Sequence, residues 1–104
     1  MRFKLESGDA AQFCDELVRL GHIFDFVFVD HSHAYVDVVN TCQVLPMLVA
    51  SGGFVMFHDF NDSRNNDLND QGYGVSRAVY DGLDTKVFEF YGIYGCAALY
   101  RKRM

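Results

Sequence analysis

The sequence predicts a three-layer α/β domain: a mostly parallel sheet with helices on both faces and an antiparallel hairpin at the carboxyl end. Three observations predict it. Strand-like and helix-like segments alternate along the 104 residues, the pattern of βαβ units joined by right-handed crossovers. The run from Phe24 to Val29 is almost wholly apolar and rich in Val and Phe, which reads as a strand buried on both faces of a parallel sheet. Two apolar runs also end in the same chemistry. Asp30, His31 and His33 follow the first, and His58 and Asp59 follow the run from Gly52 to Phe57. Ligands of open parallel sheets sit beyond the carboxyl ends of the strands, so Asp30, His33, His58 and Asp59 are expected on one rim.

Each element has a local reason. Phe3 to Glu6 alternates and reads as a short strand. Ser7-Gly8-Asp9 is a turn, with Asp9 able to cap a helix and Gln12 at the capping-box position. Phe13, Leu17 and Leu20 are expected on the inner face of that helix, and Gly21 stops it. After the strand over 24–29, Ser32 is expected to cap a helix carrying Val36, Val39 and Cys42 inward, which Pro46 ends or kinks. Ser51-Gly52-Gly53 reads as a turn, and a strand over 54–58 follows. Residues 59–74 are dominated by Asn, Asp, Ser and Gly and form a long loop, the kind that is often functional. A short helix follows, with Val75, Val79 and Leu83 inward. Lys86 to Tyr91 and Cys96 to Tyr100 read as strands, with a turn over 92–95 making the hairpin antiparallel.

Composition bounds the rest. The length suits a single domain spanning 1–104, and half of the residues are hydrophobic, enough for a core. A net charge of -5 argues against a nucleic-acid partner. Arg101 to Arg103 is a small basic exception, read as a solvated tail. Cys14, Cys42 and Cys96 are widely spaced and odd in number, which suits small core residues in a reducing compartment better than disulfides or a zinc site. No signal peptide or membrane-length apolar run is visible, so a cytoplasmic protein without a membrane partner is expected.

These residues also resemble a known family. Gly8-Asp9-Ala10, the Phe24 to Asp30 strand with His33 and Tyr35 after it, Leu48 to Gly53 leading into Phe54 to Asp59, and Gly74-Val75 with Arg77-Ala78-Val79 run in order through nearly the whole chain. Together with the closing hairpin they resemble the carboxyl-terminal portion of class I S-adenosylmethionine-dependent methyltransferases, a partial Rossmann-like fold. The resemblance implies S-adenosylmethionine as cofactor, with Gly8, Asp9 and Ala10 at its adenine end and Asp30 beside it. It implies O-methyl transfer to a small-molecule acceptor. It further implies a divalent cation, Mg²⁺ or Mn²⁺, held by Asp30 and Asp59 with His58 nearby, and His33 and Asp30 as catalytic residues. His33 would serve as general base, and the cation would lower the pKa of an acceptor hydroxyl. The family's glycine-rich cofactor turn, G-x-G-x-G, stands nowhere in this sequence.

Plainer readings compete. Asp30 and Ser32 can serve only as helix caps. His31 reads as a surface or turn residue, His58 and Asp59 as loop residues bonding backbone, and Phe88, Phe90, Tyr94 and Tyr100 as core. His33, His58 and Asp59 could also form a two-His-one-carboxylate metal site of a hydrolase or oxygenase. A third class is a non-catalytic oligomerisation or interaction module. In the family fold the strand over 24–29 is flanked by a strand this sequence does not show, leaving an apolar edge. Either the 3–6 strand fills that slot, or copies pair there as a homo-oligomer, which is the expected state.

Overall fold

The computed structural model describes residues 2–5 and 10–104. The elements are β1 (Arg2–Leu5), α1 (Ala10–Arg19), β2 (Phe24–Val29), α2 (Tyr35–Leu48), β3 (Val49–Phe57), a 3-10 turn (Ser63–Asn66), α3 (Val75–Gly82), β4 (Phe88–Tyr94) and β5 (Ala97–Lys102). The sheet order is β1-β2-β3-β5-β4. β1, β2 and β3 are mutually parallel, and β5 runs antiparallel to both β3 and β4. The α/β class, the parallel sheet and the antiparallel hairpin agree with expectation. β1 also fills the slot beside β2, pairing Arg2 with Phe26 and Leu5 with Val29.

The helices form one row, α1 against α2 and α2 against α3, rather than covering both faces. Alternation along the strands shows which face they cover. Val27, Val29, Val55 and Phe57 are buried and join Val38, Leu45, Leu48 and Val79 in one core. Phe26, Phe28, Phe54 and Met56 point the other way and are half-buried, since side chains alternate along a strand. Phe26 pairs with Phe54 and Phe28 with Met56 across β2 and β3, so this second apolar face is continuous.

Local chemistry explains the boundaries. α1 ends in a left-handed glycine cap: Gly21 has φ +82°, and Gly21 N and His22 N donate to Val18 O and Leu17 O at 3.0 and 2.9 Å. Leu20 lies beyond the last turn and is 75% exposed, not inward. The Asp9 cap lies outside the described residues. Ser32 does not cap α2. Its Oγ accepts from Ala34 N at 3.1 Å, tightening the loop before the helix starts. The inner face of α2 is Val38, Thr41, Cys42, Leu45 and Leu48, while Val36 is exposed. Pro46 sits in the last turn, two residues before the helix ends.

β3 begins five residues earlier than the expected turn-then-strand. Its register against β2 slips between Phe24 and Phe26. Gly53 sits at that slip, where a Cβ would lie 2.8 Å from Ala50 O and 2.9 Å from Asp25 O. Only glycine fits so close an approach. β4 and β5 run longer than expected, and the hairpin turn shrinks to Gly95 and Cys96, with Tyr94 opposite Ala97. Phe88 and Tyr100 are core, but Phe90 and Tyr94 are more than half exposed. The basic cluster is not a free tail. Lys102 Nζ donates to Pro46 O and Val49 O at 2.5 and 2.9 Å, satisfying carbonyls where α2 gives way to β3. Arg101 Nε reaches Gly52 O at 3.4 Å, and Arg103 pairs with Glu89 at 3.0 Å.

Candidate functional site

The rim forms where β2 and β3 end side by side. Val29 pairs with Phe57, and His58 N donates to Val29 O at 3.0 Å. The ladder thus continues one residue past β3 and brings His58 opposite Asp30. Asp59 then turns the chain with φ +59°, a left-handed conformation that Asp and Asn tolerate best among residues with a side chain. The turn points its carboxylate back over the sheet end.

Four of the expected site residues converge there. His33 Nε2 lies 2.6 Å from Asp59 Oδ2. His58 Nδ1 lies 3.0 Å from Asp59 Oδ2 and 3.3 Å from Asp30 Oδ1, within ion-pair reach but off the hydrogen-bond line. One donor atom each from Asp30, His33 and Asp59 falls within 4.8 Å of the other two. Two carboxylates converging beside an imidazole fit a divalent cation such as Mg²⁺ or Mn²⁺, with water completing the shell. His58 Nδ1 faces the space between the carboxylates. A cation entering there either takes His58 as a ligand or displaces its ring. Gly8 and Asp9 lie outside the described residues, and Ala10 opens α1.

The long loop frames His33. Gly74 N donates to His33 O at 2.8 Å and Tyr35 N to Gln71 O at 3.1 Å. The Tyr73 ring stacks on the His33 imidazole at 4.8 Å and 16°, and the Arg64 guanidinium lies 4.4 Å from the Tyr73 ring centre. The buried Tyr73 hydroxyl has no well-formed hydrogen bond. Burial, then the nearby Asp59 and Asp62 carboxylates, push its pKa up to about 12. Asn65 is the staple of this loop. Its Nδ2 donates to Asp59 O, Phe60 O and Asp62 O at 2.9 to 3.1 Å, and its Oδ1 accepts from Ser76 N in α3 at 3.1 Å. Nothing in the sequence singled out Asn65, because the loop is full of similar residues.

His31 is not a surface residue; it is 5% exposed. Thr41 Oγ1 donates its one proton to Asp37 O at 3.0 Å. His31 Nε2, 3.1 Å from the same oxygen, must therefore carry the proton it shares. The Nδ1 lone pair is left without a well-formed partner. His31 lines a cavity of about 10 Å³ with Asp30, Ser32, His33, His58 and Val75, room for one water at most. Burial is the largest influence on His31 and lowers its pKa from 6.5.

The cysteines divide. Cys14 and Cys42 are buried in the core, and burial pushes their thiols up to about 11 and about 12. Cys96 is exposed rather than core, and its Sγ lies 3.3 Å from His58 Nε2. A wider concavity of about 380 Å³, lined by Asp25, Phe26 and Ala50 to Phe54, lies where β2 and β3 begin, away from the rim. No helix among the described residues is long and apolar enough to cross a membrane.

Comparison with known proteins agrees with this architecture. A family described as a methyltransferase domain matches residues 2–60, more than half of the chain. The chain is therefore a member of a methyltransferase-domain family. Among solved structures, it is similar to the MycE methyltransferase of the mycinamycin biosynthetic pathway, in complex with Mg, SAH and mycinamycin VI. There the TM-score is 0.64 at 22% identity, over 91% of this chain and 30% of that one. It is also similar to apo CalS11, a TDP-rhamnose 3'-O-methyltransferase of calicheamicin biosynthesis (TM-score 0.66, 14% identity, 90% of this chain and 38% of that one). The N-methyltransferase NodS from Bradyrhizobium japonicum WM9 gives a TM-score of 0.56 at 13% identity, over 99% and 86%. The chain spans about a third of the length of MycE and CalS11. Comparison with functionally curated proteins returns no significant match.

Proposed function

We propose that this chain is the acceptor-activating part of an S-adenosylmethionine-dependent methyltransferase that methylates an oxygen of a small molecule. The observation that carries this reading is the convergence of Asp30, His33 and Asp59 at the sheet rim, one donor atom from each within 4.8 Å of the others. The cofactor supplies an electrophilic methyl group, and a divalent cation would make an acceptor hydroxyl more acidic. Asp30 and Asp59 would hold the cation, and their carboxylates orient the acceptor. With Nε2 bound to Asp59, His33 takes the acceptor proton at Nδ1. Tyr73 and the loop over 59–74 keep water from one side of the imidazole.

The small cavity at the rim holds no nucleoside. Pockets for such ligands span hundreds of cubic ångströms. The cofactor cavity is therefore completed by residues beyond this rim, with Gly8, Asp9 and Ala10 at its adenine end. The half-buried Phe26, Phe28, Phe54 and Met56 face supports association with further protein, including a second copy. It equally favours the alternative of a non-catalytic interaction module.

Calorimetric titration with S-adenosylhomocysteine, with and without Mg²⁺ or Mn²⁺, tests the proposal. Binding at micromolar strength is expected once the cofactor cavity is complete, with the cation-dependent part of the heat lost in Asp30→Asn. Cofactor binding indifferent to the cation and to Asp30 would remove the metal-assisted reading. No binding by a folded, complete domain would favour the interaction module.

A further inference from the structure

We propose that His58, Cys96 and Asp59 form a second cation site, selective for borderline divalent ions of the Zn²⁺ and Co²⁺ class. It differs in chemistry from the oxygen-rich set of Asp30, Asp59 and His33. One donor atom from each of His58, Asp59 and Cys96 lies within 4.8 Å of the other two. Thiolate and imidazole are the ligands that select these ions over Mg²⁺.

Three features make the cluster more than a chance approach. The first is spacing. Metal–sulfur and metal–nitrogen bonds of about 2.3 and 2.0 Å at a tetrahedral angle put the two donors roughly 3.5 Å apart. The observed separation of His58 Nε2 and Cys96 Sγ is 3.3 Å. Little movement is needed to admit an ion between them. The second is ring orientation. His58 turns Nε2 toward Cys96, while Nδ1 lies 3.3 and 3.0 Å from the Asp30 and Asp59 carboxylates, off the hydrogen-bond line. Negative charge on that side favours the ring proton on Nδ1 and leaves Nε2 as the ligand nitrogen. The third is anchoring and access. Cys96 occupies a two-residue hairpin turn after Gly95, whose φ is +62°. Cys96 O accepts from Asn61 N at 3.1 Å, pinning the turn to the chain just past Asp59. The thiol is exposed, so water can fill the remaining coordination positions.

Binding releases the thiol proton to solvent as the metal–sulfur bond forms. Asp59 belongs to both donor sets. An ion bound between Cys96 and His58 draws on the carboxylate that also holds His33, so the two sites compete.

Titration of the folded chain with Co²⁺ reads this directly, because a cobalt–thiolate bond gives a near-ultraviolet charge-transfer band. Cys14 and Cys42 are sealed in the core, so the band reports Cys96. The expected result is a saturable band at one ion per chain. Cys96→Ser abolishes it, His58→Gln weakens affinity at least tenfold, and Asp30→Asn leaves the band in place. One equivalent of Zn²⁺ displaces the band and one equivalent of Mg²⁺ does not. No band from wild type, or a band that survives Cys96→Ser, would overturn the proposal and leave the His58–Cys96 contact as a hydrogen bond. Circular dichroism of each variant separates ligand loss from unfolding.

Discussion

His33 Nε2 and Asp59 Oδ2 lie 2.6 Å apart although 26 residues separate them in sequence. The contact depends on two backbone features: the loop after β2, held by Gly74 N on His33 O, and the left-handed turn at Asp59. An anion at the tip of one strand and an imidazole beyond the next are thereby fixed in one orientation. Each of these features has consequences that a substitution can measure.

Asp59→Ala and Asp59→Asn both remove the negative charge, but only asparagine keeps an acceptor for His33 Nε2 and a side chain that tolerates the left-handed turn. Alanine pays about 1 kcal/mol more than asparagine for φ +59°. Urea unfolding is expected to rank wild type, Asp59→Asn and Asp59→Ala in that order. Equal midpoints for the two variants would show that neither the turn nor the His33 hydrogen bond contributes to stability.

Gly53→Ala places a methyl group against two carbonyl oxygens, at 2.8 and 2.9 Å. Relief requires β2 and β3 to part at the register slip, costing about 1–3 kcal/mol. A fall in melting temperature of roughly 4–8 °C per kcal/mol is expected for a domain of this size. An unchanged melting temperature would mean the slip is soft enough to absorb a side chain.

Lys102→Met keeps the aliphatic stem and removes the ammonium from Pro46 O and Val49 O. Charge-assisted hydrogen bonds of this kind contribute about 1.5–3 kcal/mol. The loss is expected to be global, because β5 and α2 belong to one core. Faster amide exchange confined to residues after Arg101, with the last turn of α2 unaffected, would refute the link.

His31 governs part of the acid response. Its folded pKa is lowered from 6.5, chiefly by burial. Well above 6.5 both folded and unfolded forms are neutral, and its contribution to stability is fully present. As pH falls through 6.5 the unfolded chain takes up a proton that the folded chain resists, so stability declines. Urea midpoints measured from about pH 7.5 down to pH 5 are expected to fall more steeply for wild type than for His31→Gln, which can still donate to Thr41. Parallel slopes would place the acid sensitivity elsewhere. Asp62, held down at about 2 chiefly by its side-chain hydrogen bond from Arg64, loses its contribution only in much stronger acid.

Tyr73 holds the His33 ring by stacking. Tyr73→Phe should leave the His33 ring-proton shifts close to wild type by NMR, whereas Tyr73→Leu should move them by removing the ring current. Identical spectra for Tyr73→Leu and wild type would show that the stack does not persist in solution.

The parts of the fold legible in sequence were those with a local signal. The apolar run over 24–29 could only be a buried strand, and Gly21 could only end a helix. The rim residues Asp30, His33, His58 and Asp59 were legible because two strand ends carried the same chemistry. Other features depended on neighbours. Val36 looked apolar enough for the core, but helix phase turns Thr41 inward, where Asp37 O and His31 satisfy its hydroxyl. His31 looked exposed because a turn histidine usually is, and only α2 closing over it makes it buried. Cys96 read as core because its chain neighbours are apolar, yet a two-residue turn throws its thiol outward. The role of Lys102 was invisible, since its partners lie more than fifty residues away.

The strand order has a consequence for how the chain is made. β5 lies between β3 and β4, although the ribosome releases it after both. While β4 emerges, the nascent sheet has no place for it, and the β3 edge that will receive Ala98 to Arg101 stays open. Phe54 and Val55 on that edge are strand-forming and apolar, so the nascent chain carries a sticky border until its hairpin folds back. Closure therefore waits on one late event, and a stall in synthesis just before Gly95 would leave a molecule primed to pair with the wrong neighbour.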